Sequence, residues 1–184
     1  SLCRTAAMTA SARRGAVFFD RDGVLNRDTG YPHRVEQFEW MPGAPEAIAL
    51  VKRAGLLAIV VTNQSGIARG YYDENAMHRV HEWMNSELHR QVAAGIDAFE
   101  FCPYHPEATI SRYRHPNHPD RKPNPGMLLR AMDRYDLDAW RCLMIGDHES
   151  DMKAAEAAGV RGHLFKGGRL DTDLDFLLGR ELTS

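Results

Sequence analysis

Residues 56–63 read LLAIVVTN, an apolar run with no polar side chain before its last two positions. A strand with one face in water alternates polar and apolar residues; a strand covered on both faces has no reason to. Shorter apolar runs recur along the chain: AVFFD at 16–20, AFEFC at 98–102, CLMIGD at 142–147 and GHLF at 162–165. Helical patterns lie between them. Residues 42–55, PGAPEAIALVKRAG, set Pro45 near a first turn and Gly55 at a stop. After Asp73, the residues Met77, Val80, His81, Met84, Leu88 and Val92 recur at helical spacing, and His78, His81 and His89 read as helix-face residues without a metal-binding pattern. Asn124 as N-cap and Pro125 as first residue open a further helix, 150–159 forms another that ends at Gly159, and 173–179 closes the chain. This alternation predicts an α/β fold, a Rossmann-like parallel sheet with helices on both faces.

A chain of 184 residues with 43% hydrophobic content suits one compact domain, assigned to 16–184 behind a flexible leader at 1–15. The leader is small, polar and Arg-bearing, without the apolar centre of a secretory signal. A formal net charge of −2 supplies no basic field for nucleic acid. No run approaches the roughly 18 apolar residues of a membrane span. Cys3, Cys102 and Cys142 are an odd, widely spaced set, which argues against a disulfide framework and for a reducing, cytoplasmic setting. The expected partner is a small metabolite, met by a monomer. Trp40, Trp83 and Trp140 read as packing residues, with Trp40 bordering the site.

In such sheets ligands bind outside the carboxyl ends of the strands. The runs end on Asp20, with Asp22 just beyond, on Thr62 and Asn63, and on Gly146 and Asp147; Lys122 lies just before the helix at Pro125. Carboxylates about 4 Å apart repel by about 4 kcal/mol at an effective dielectric near 20, so a cation must keep them ionised together. Oxygen ligands with open positions favour Mg²⁺, whose shell is completed by water and substrate phosphate. Mg²⁺ and Lys122 would together neutralise a phosphate monoester so that Asp20 can attack phosphorus. Asp22 would protonate the leaving oxygen and later take a proton from the hydrolytic water. A non-catalytic phosphoacceptor similar to a response-regulator receiver also gathers acidic groups, Thr and Lys; Asp22 distinguishes the two, because only turnover needs an acid/base.

The segments DRDGVLN (20–26), VVTNQSGIARG (60–70), RKP (121–123) and GDHESD (146–151) resemble, in order and spacing, the four signature motifs of the haloacid dehalogenase superfamily of phosphotransferases. The resemblance spans nearly all of 17–178. It implies that Asp20 is the nucleophile and a Mg²⁺ ligand, and that Asp22 is the acid/base and binds the metal through its carbonyl. It further implies that Thr62 and Asn63 hold the phosphoryl group, that Lys122 neutralises it, and that Asp147 completes the metal site with Asp151 beside it. Residues 25–44, 63–72 and 121–128 are similar to the capless subgroup that contains D-glycero-D-manno-heptose 1,7-bisphosphate 7-phosphatases and the phosphatase domains of histidinol-phosphate phosphatases. Heptose bisphosphate is the expected substrate, histidinol phosphate or a range of sugar phosphates the alternative. By the same resemblance, Arg69 and Arg121 meet a second phosphate or the polar end of the substrate. Relatives commonly carry a structural zinc on a Cys-x-His and a Cys-x-Cys pair before RKP. Here Tyr104, His118 and Asp120 stand at three of those positions, so either Cys102, His105, His115 and His118 form a rearranged zinc site or the loop is held by its prolines. His148 stands where Lys is common in relatives.

Overall fold

In the computed structural model, which describes residues 13–181, the apolar runs form β1 (Arg14–Phe19), β2 (Leu57–Asn63), β3 (Ala98–Cys102), β4 (Leu137–Gly146) and β5 (Arg161–Leu164). All neighbouring pairs are parallel, in the order β3-β2-β1-β4-β5. The helices are α1 (Ala44–Arg53), α2 (Ser65–Ala68), α3 (Glu74–Val92), α4 (Gly126–Arg134), α5 (Glu149–Ala157) and α6 (Leu170–Glu181).

The absence of alternation in the strands reflects two cores. Val17, Phe19, Val60 and Ile145 face α1, α3 and α6, while Phe18, Ile59, Val61 and Met144 face α4 and α5. From β1 the chain builds outward to β2 and β3 on one side, then returns to lay β4 and β5 on the other. The order therefore reverses beside β1, and the crevice between the ends of β1 and β4 is where such a sheet accepts a ligand. The segment after β1 holds only one short 3-10 turn, Val35–Gln37, before α1, so no cap domain covers this end. Among the described residues no helix is long and apolar enough to cross a membrane.

Several boundaries differ from those read off the sequence. β1 starts at Arg14, so the last two residues assigned to the leader belong to the sheet; residues 1–12 lie outside the described residues. β4 starts at Leu137, but its next residues are partly or fully exposed and lack an apolar signature; Trp140, expected to pack, is 92% exposed. α4 begins one residue later than expected. Pro125 sits at its N-cap, and the Asn124 amide bonds Asn117 and the His118 carbonyl instead of capping. α6 begins at Leu170 because Leu170 and Leu174 are both buried against the α1 face.

Candidate active site

Asp20 extends the pairing of β1 by donating its N–H to the Ile145 carbonyl at 3.0 Å. This fixes its side chain beside the end of β4. Two glycines bring the other acids to the same place. A Cβ on Gly146 would lie 2.2 Å from Asp151 Cβ, and one on Gly23, whose φ is +90°, would lie 2.1 Å from Asp147 Oδ2. Side chains there would force the β1 turn, Asp147 and α5 apart. Asp151 uses Oδ2 to accept from the Asp147 and His148 N–H groups at 3.2 and 3.1 Å, closing the first turn of α5. Its Oδ1 is 2.6 Å from Lys122 Nζ.

Lys122 is 4% exposed and places its three ammonium protons on Asp20 Oδ1 (2.9 Å), Asp151 Oδ1 (2.6 Å) and the Val61 carbonyl (2.9 Å). Every donor of the ammonium is satisfied. Burial alone would lower the Lys122 pKa; attraction to Asp20 and Asp151 outweighs it and the net direction is up. Burial pushes the Asp20 carboxyl well above its ordinary range, opposed by Lys122 and reinforced by Asp151 and Asp22. Among the described residues, two buried cations, Lys122 and Arg21, pair with Asp20, Asp22 and Asp151, and Asp147 adds a fourth carboxylate, so two negative charges are left over by these cations when all four are ionised. Ligand atoms of Asp20, Asp147, His148 and Asp151 lie within 4.8 Å of one another. A hard divalent cation fits both the excess charge and the oxygen-rich donor set.

Asp20, Lys122, His148 and Asp151 line a cleft of about 440 Å³ together with Asp22, Asp28, Tyr31, Asn63, Gln64, Tyr72, Arg121 and Ser150. The Asp22 carboxylate is held by Arg21, Asn26 and Gln64. Thr62 is fully buried and accepts from Gln64 Nε2 at 2.9 Å. Asn63 spends both ends of its amide on the Lys122 backbone, each at 3.1 Å, and so fastens the RKP segment to the end of β2. Arg121 reaches the cleft from that segment. Its guanidinium pKa is lowered by burial, with Cys102 acting upward and neighbouring Arg69 downward. Arg69 does not line the cleft; it lies 6.0 Å over the Tyr31 ring, with Nε buried and unpaired. Trp40 packs with Phe38 and Trp83 away from the cleft.

The rearranged zinc site is not formed. Among the described residues, the acidic set at β1 and β4 is the one group gathered closely enough to hold a metal, and Cys102, His105, His115 and His118 do not make a second. Each imidazole accepts at Nδ1 from the N–H two residues on, in Glu107, Asn117 and Asp120 respectively. His118 stacks on Tyr104 at 4.0 Å, and burial pushes the Cys102 thiol up to about 11. Asp120 and Glu100 are instead clamped by Arg130, with contacts of 3.0–3.1 Å. Protein purified without chelator is expected to carry no stoichiometric zinc, and EDTA alone to leave this loop's resistance to proteolysis unchanged; loss of a bound zinc with loosening of the loop would contradict the Arg130 clamp.

Arg21, Gln64 and Tyr72 were not singled out in the sequence. Gln64 donates to Asp22 Oδ2 and Thr62 and accepts from the Tyr72 hydroxyl, tying three segments together. Burial raises the Tyr72 hydroxyl pKa well above its usual value. The available signal was position alone: Arg21 lies between two acids and Gln64 directly follows Thr62-Asn63.

The arrangement has close counterparts. The HAD-hydrolase-like family model matches residues 120–176. A D-glycero-beta-D-manno-heptose-1,7-bisphosphate 7-phosphatase of Rhodopseudomonas palustris is 45% identical over 165 residues, covering 89% of this chain and 91% of that protein. A D-glycero-alpha-D-manno-heptose-1,7-bisphosphate 7-phosphatase of Burkholderia mallei is 48% identical over 145 residues, 79% of this chain and 76% of that one. The crystal structure of a D,D-heptose 1,7-bisphosphate phosphatase from B. bronchiseptica, complexed with magnesium and phosphate, superposes with a TM-score of 0.76 at 29% identity, covering 91% of this chain and 99% of that one. With its four ordered motifs and capless parallel sheet, the chain belongs to the haloacid dehalogenase-like family of phosphatases.

Proposed function

We propose that the chain is a Mg²⁺-dependent phosphomonoester hydrolase that removes the 7-phosphate of D-glycero-D-manno-heptose 1,7-bisphosphate through an aspartyl-phosphate. The observation that carries this is the buried Lys122 shared between Asp20 and Asp151 on the floor of an open, negatively charged cleft. The names of relatives at 45% and 48% identity support the heptose substrate. Asp20, Asp22 and Asp147 would hold Mg²⁺, Asp22 through its carbonyl, and the metal would supply charge neutralisation for the phosphoryl group. Asp20 Oδ1 already accepts from Lys122 Nζ and the Arg21 N–H, so Oδ2 is the oxygen available to attack. Attack forms the Asp20–phosphorus bond as the sugar oxygen departs with a proton from Asp22. Water then cleaves the acyl phosphate, returning its proton to Asp22. Thr62 supports this end of β2 through Gln64, and Asn63 positions Lys122. The free, buried thiols of Cys102 and Cys142 support a reducing, cytoplasmic setting.

The test is phosphate release with Mg²⁺ from both heptose bisphosphate anomers, histidinol phosphate and other sugar phosphates. A kcat/KM preference on the order of 10²-fold or more for a heptose anomer is expected; a flat profile, or one led by histidinol phosphate, would overturn the substrate. Asp22→Asn is expected to slow turnover by about 10²–10⁴-fold, the usual contribution of a general acid/base. An unchanged rate would remove Asp22 from that role. Arg121 is expected to hold the phosphate that is not cleaved. Arg121→Gln should then raise KM for the bisphosphate roughly 10- to 100-fold, as for a lost charge-assisted hydrogen bond, with kcat little changed. An equal rise with the 7-monophosphate would place Arg121 on the other end of the substrate.

A further inference from the structure

Arg21 is the largest fully buried side chain among the described residues, 1% exposed, although it lies on the tip between Asp20 and Asp22. Its guanidinium is anchored on three sides. Nε and Nη2 donate to Asp22 Oδ1 at 3.1 and 2.9 Å, Nη2 also donates to the Pro32 carbonyl at 2.9 Å, and Nη1 lies 3.2 Å from His81 Nε2. A guanidinium only donates, so His81 must present an unprotonated Nε2 and carry its proton on Nδ1. That Nδ1 is buried without a partner, a cost the fold retains while keeping the ring stacked 4.3 Å from Phe99. Burial, with Arg21 and His78 nearby, holds His81 neutral.

The fork has a consequence for Asp22. Among the described residues, its Oδ1 accepts from Arg21 Nε and Nη2 and from Asn26 Nδ2, while Oδ2 accepts from Gln64 Nε2 alone. An oxygen already facing three N–H donors has no room for a proton. We infer that His81, remote from the reacting atoms, is a positioning residue: through Arg21 it fixes Asp22 so that Oδ2 alone delivers the proton to the leaving oxygen and recovers it from water. No proton passes through His81 itself. This rests on Asp22 being the acid/base of the proposed reaction.

The discriminating measurement compares kcat/KM on a sugar phosphate with kcat/KM on p-nitrophenyl phosphate. Both report events up to release of the alcohol or phenol, but a nitrophenolate leaves without a proton and an alkoxide does not. His81→Leu removes the acceptor. It is expected to lose on the order of 10–100-fold on the sugar phosphate, the scale of a misplaced catalytic group, with little change on the nitrophenyl ester. His81→Gln, whose Oε1 can accept from Nη1, should recover most of the loss. Should His81→Leu not fold, His81→Phe keeps the stack on Phe99, lacks the acceptor and carries the same comparison. Equal losses on both substrates, or none, would overturn the inference. Asp22→Asn run in parallel separates the two failures: if it shows no selective loss on the sugar phosphate, the acid/base reading falls; if it does and His81→Leu does not, only the role of His81 falls.

Discussion

Replacing Asp20 with Asn is expected to reduce turnover by on the order of 10⁴-fold or more, as when a covalent nucleophile is removed, and to leave the protein folded and no less stable. The two effects separate because Asp20 is buried at a cost. Burial holds its folded pKa above the unfolded value, so as pH rises between the two the folded state keeps a proton that the unfolded state releases, and stability falls. Asn removes that loss. Lys122 keeps Asp151 at 2.6 Å and the Val61 carbonyl at 2.9 Å, so its charge is not stranded. Urea unfolding in EDTA should therefore show the variant equal to or more stable than the native chain once the pH is above the ordinary carboxylate range, while acid-quenched protein shows no phosphoenzyme. Turnover within an order of magnitude of the native rate would remove Asp20 as nucleophile. Lost activity with a large loss of stability would assign it a structural task.

The sheet was legible in the sequence because strands covered on both faces cannot alternate, and 56–63 shows this without help from its neighbours. The acidic site was legible for a related reason: a parallel sheet sends every strand's carboxyl end to one edge, so Asp20, Thr62 and Asp147 converge once the strands are recognised. What the chain did not disclose are partners joined across long separations. Arg21 and His81 are 60 positions apart, and Asp22 and Gln64 are 42 apart. A cation between two acids reads locally as exposed, and a histidine on an amphipathic helix reads as packing. The loop at 102–123 left two readings open, a rearranged zinc site or a loop held by its prolines. Its Cys and His residues have the chemistry of zinc ligands, but ligand type says nothing of which nitrogen is free, and local turns occupy Nδ1 of His105, His115 and His118.

Lys122→Met is expected to cost both activity and stability. The group being neutralised is a transferring phosphoryl, for which a lost cationic contact costs on the order of 10²–10³-fold in kcat. Without divalent cation the variant should also unfold more easily by about 3–5 kcal/mol, because removing one partner of a buried ion cluster leaves uncompensated charge, here Asp20 and Asp151. Lys122 has a raised pKa, so its stabilisation is present throughout neutral pH and is lost only far on the alkaline side. Any new pH dependence of the variant between about pH 5 and 8 is then expected from the Asp20 carboxyl, which burial already pushes up and which loses the opposing Lys122, with stability recovering as the pH falls and it takes up a proton. A second substitution isolates this cause. Adding Asp151→Asn to Lys122→Met removes one stranded charge and should return part of the stability, giving a coupling energy within the 0.5–3 kcal/mol range of contacting residues, yet it should restore no activity. If the two losses simply add, the ammonium is not compensating these carboxylates. If the double variant regains turnover, charge balance rather than contact between Lys122 and the phosphoryl group governs the rate.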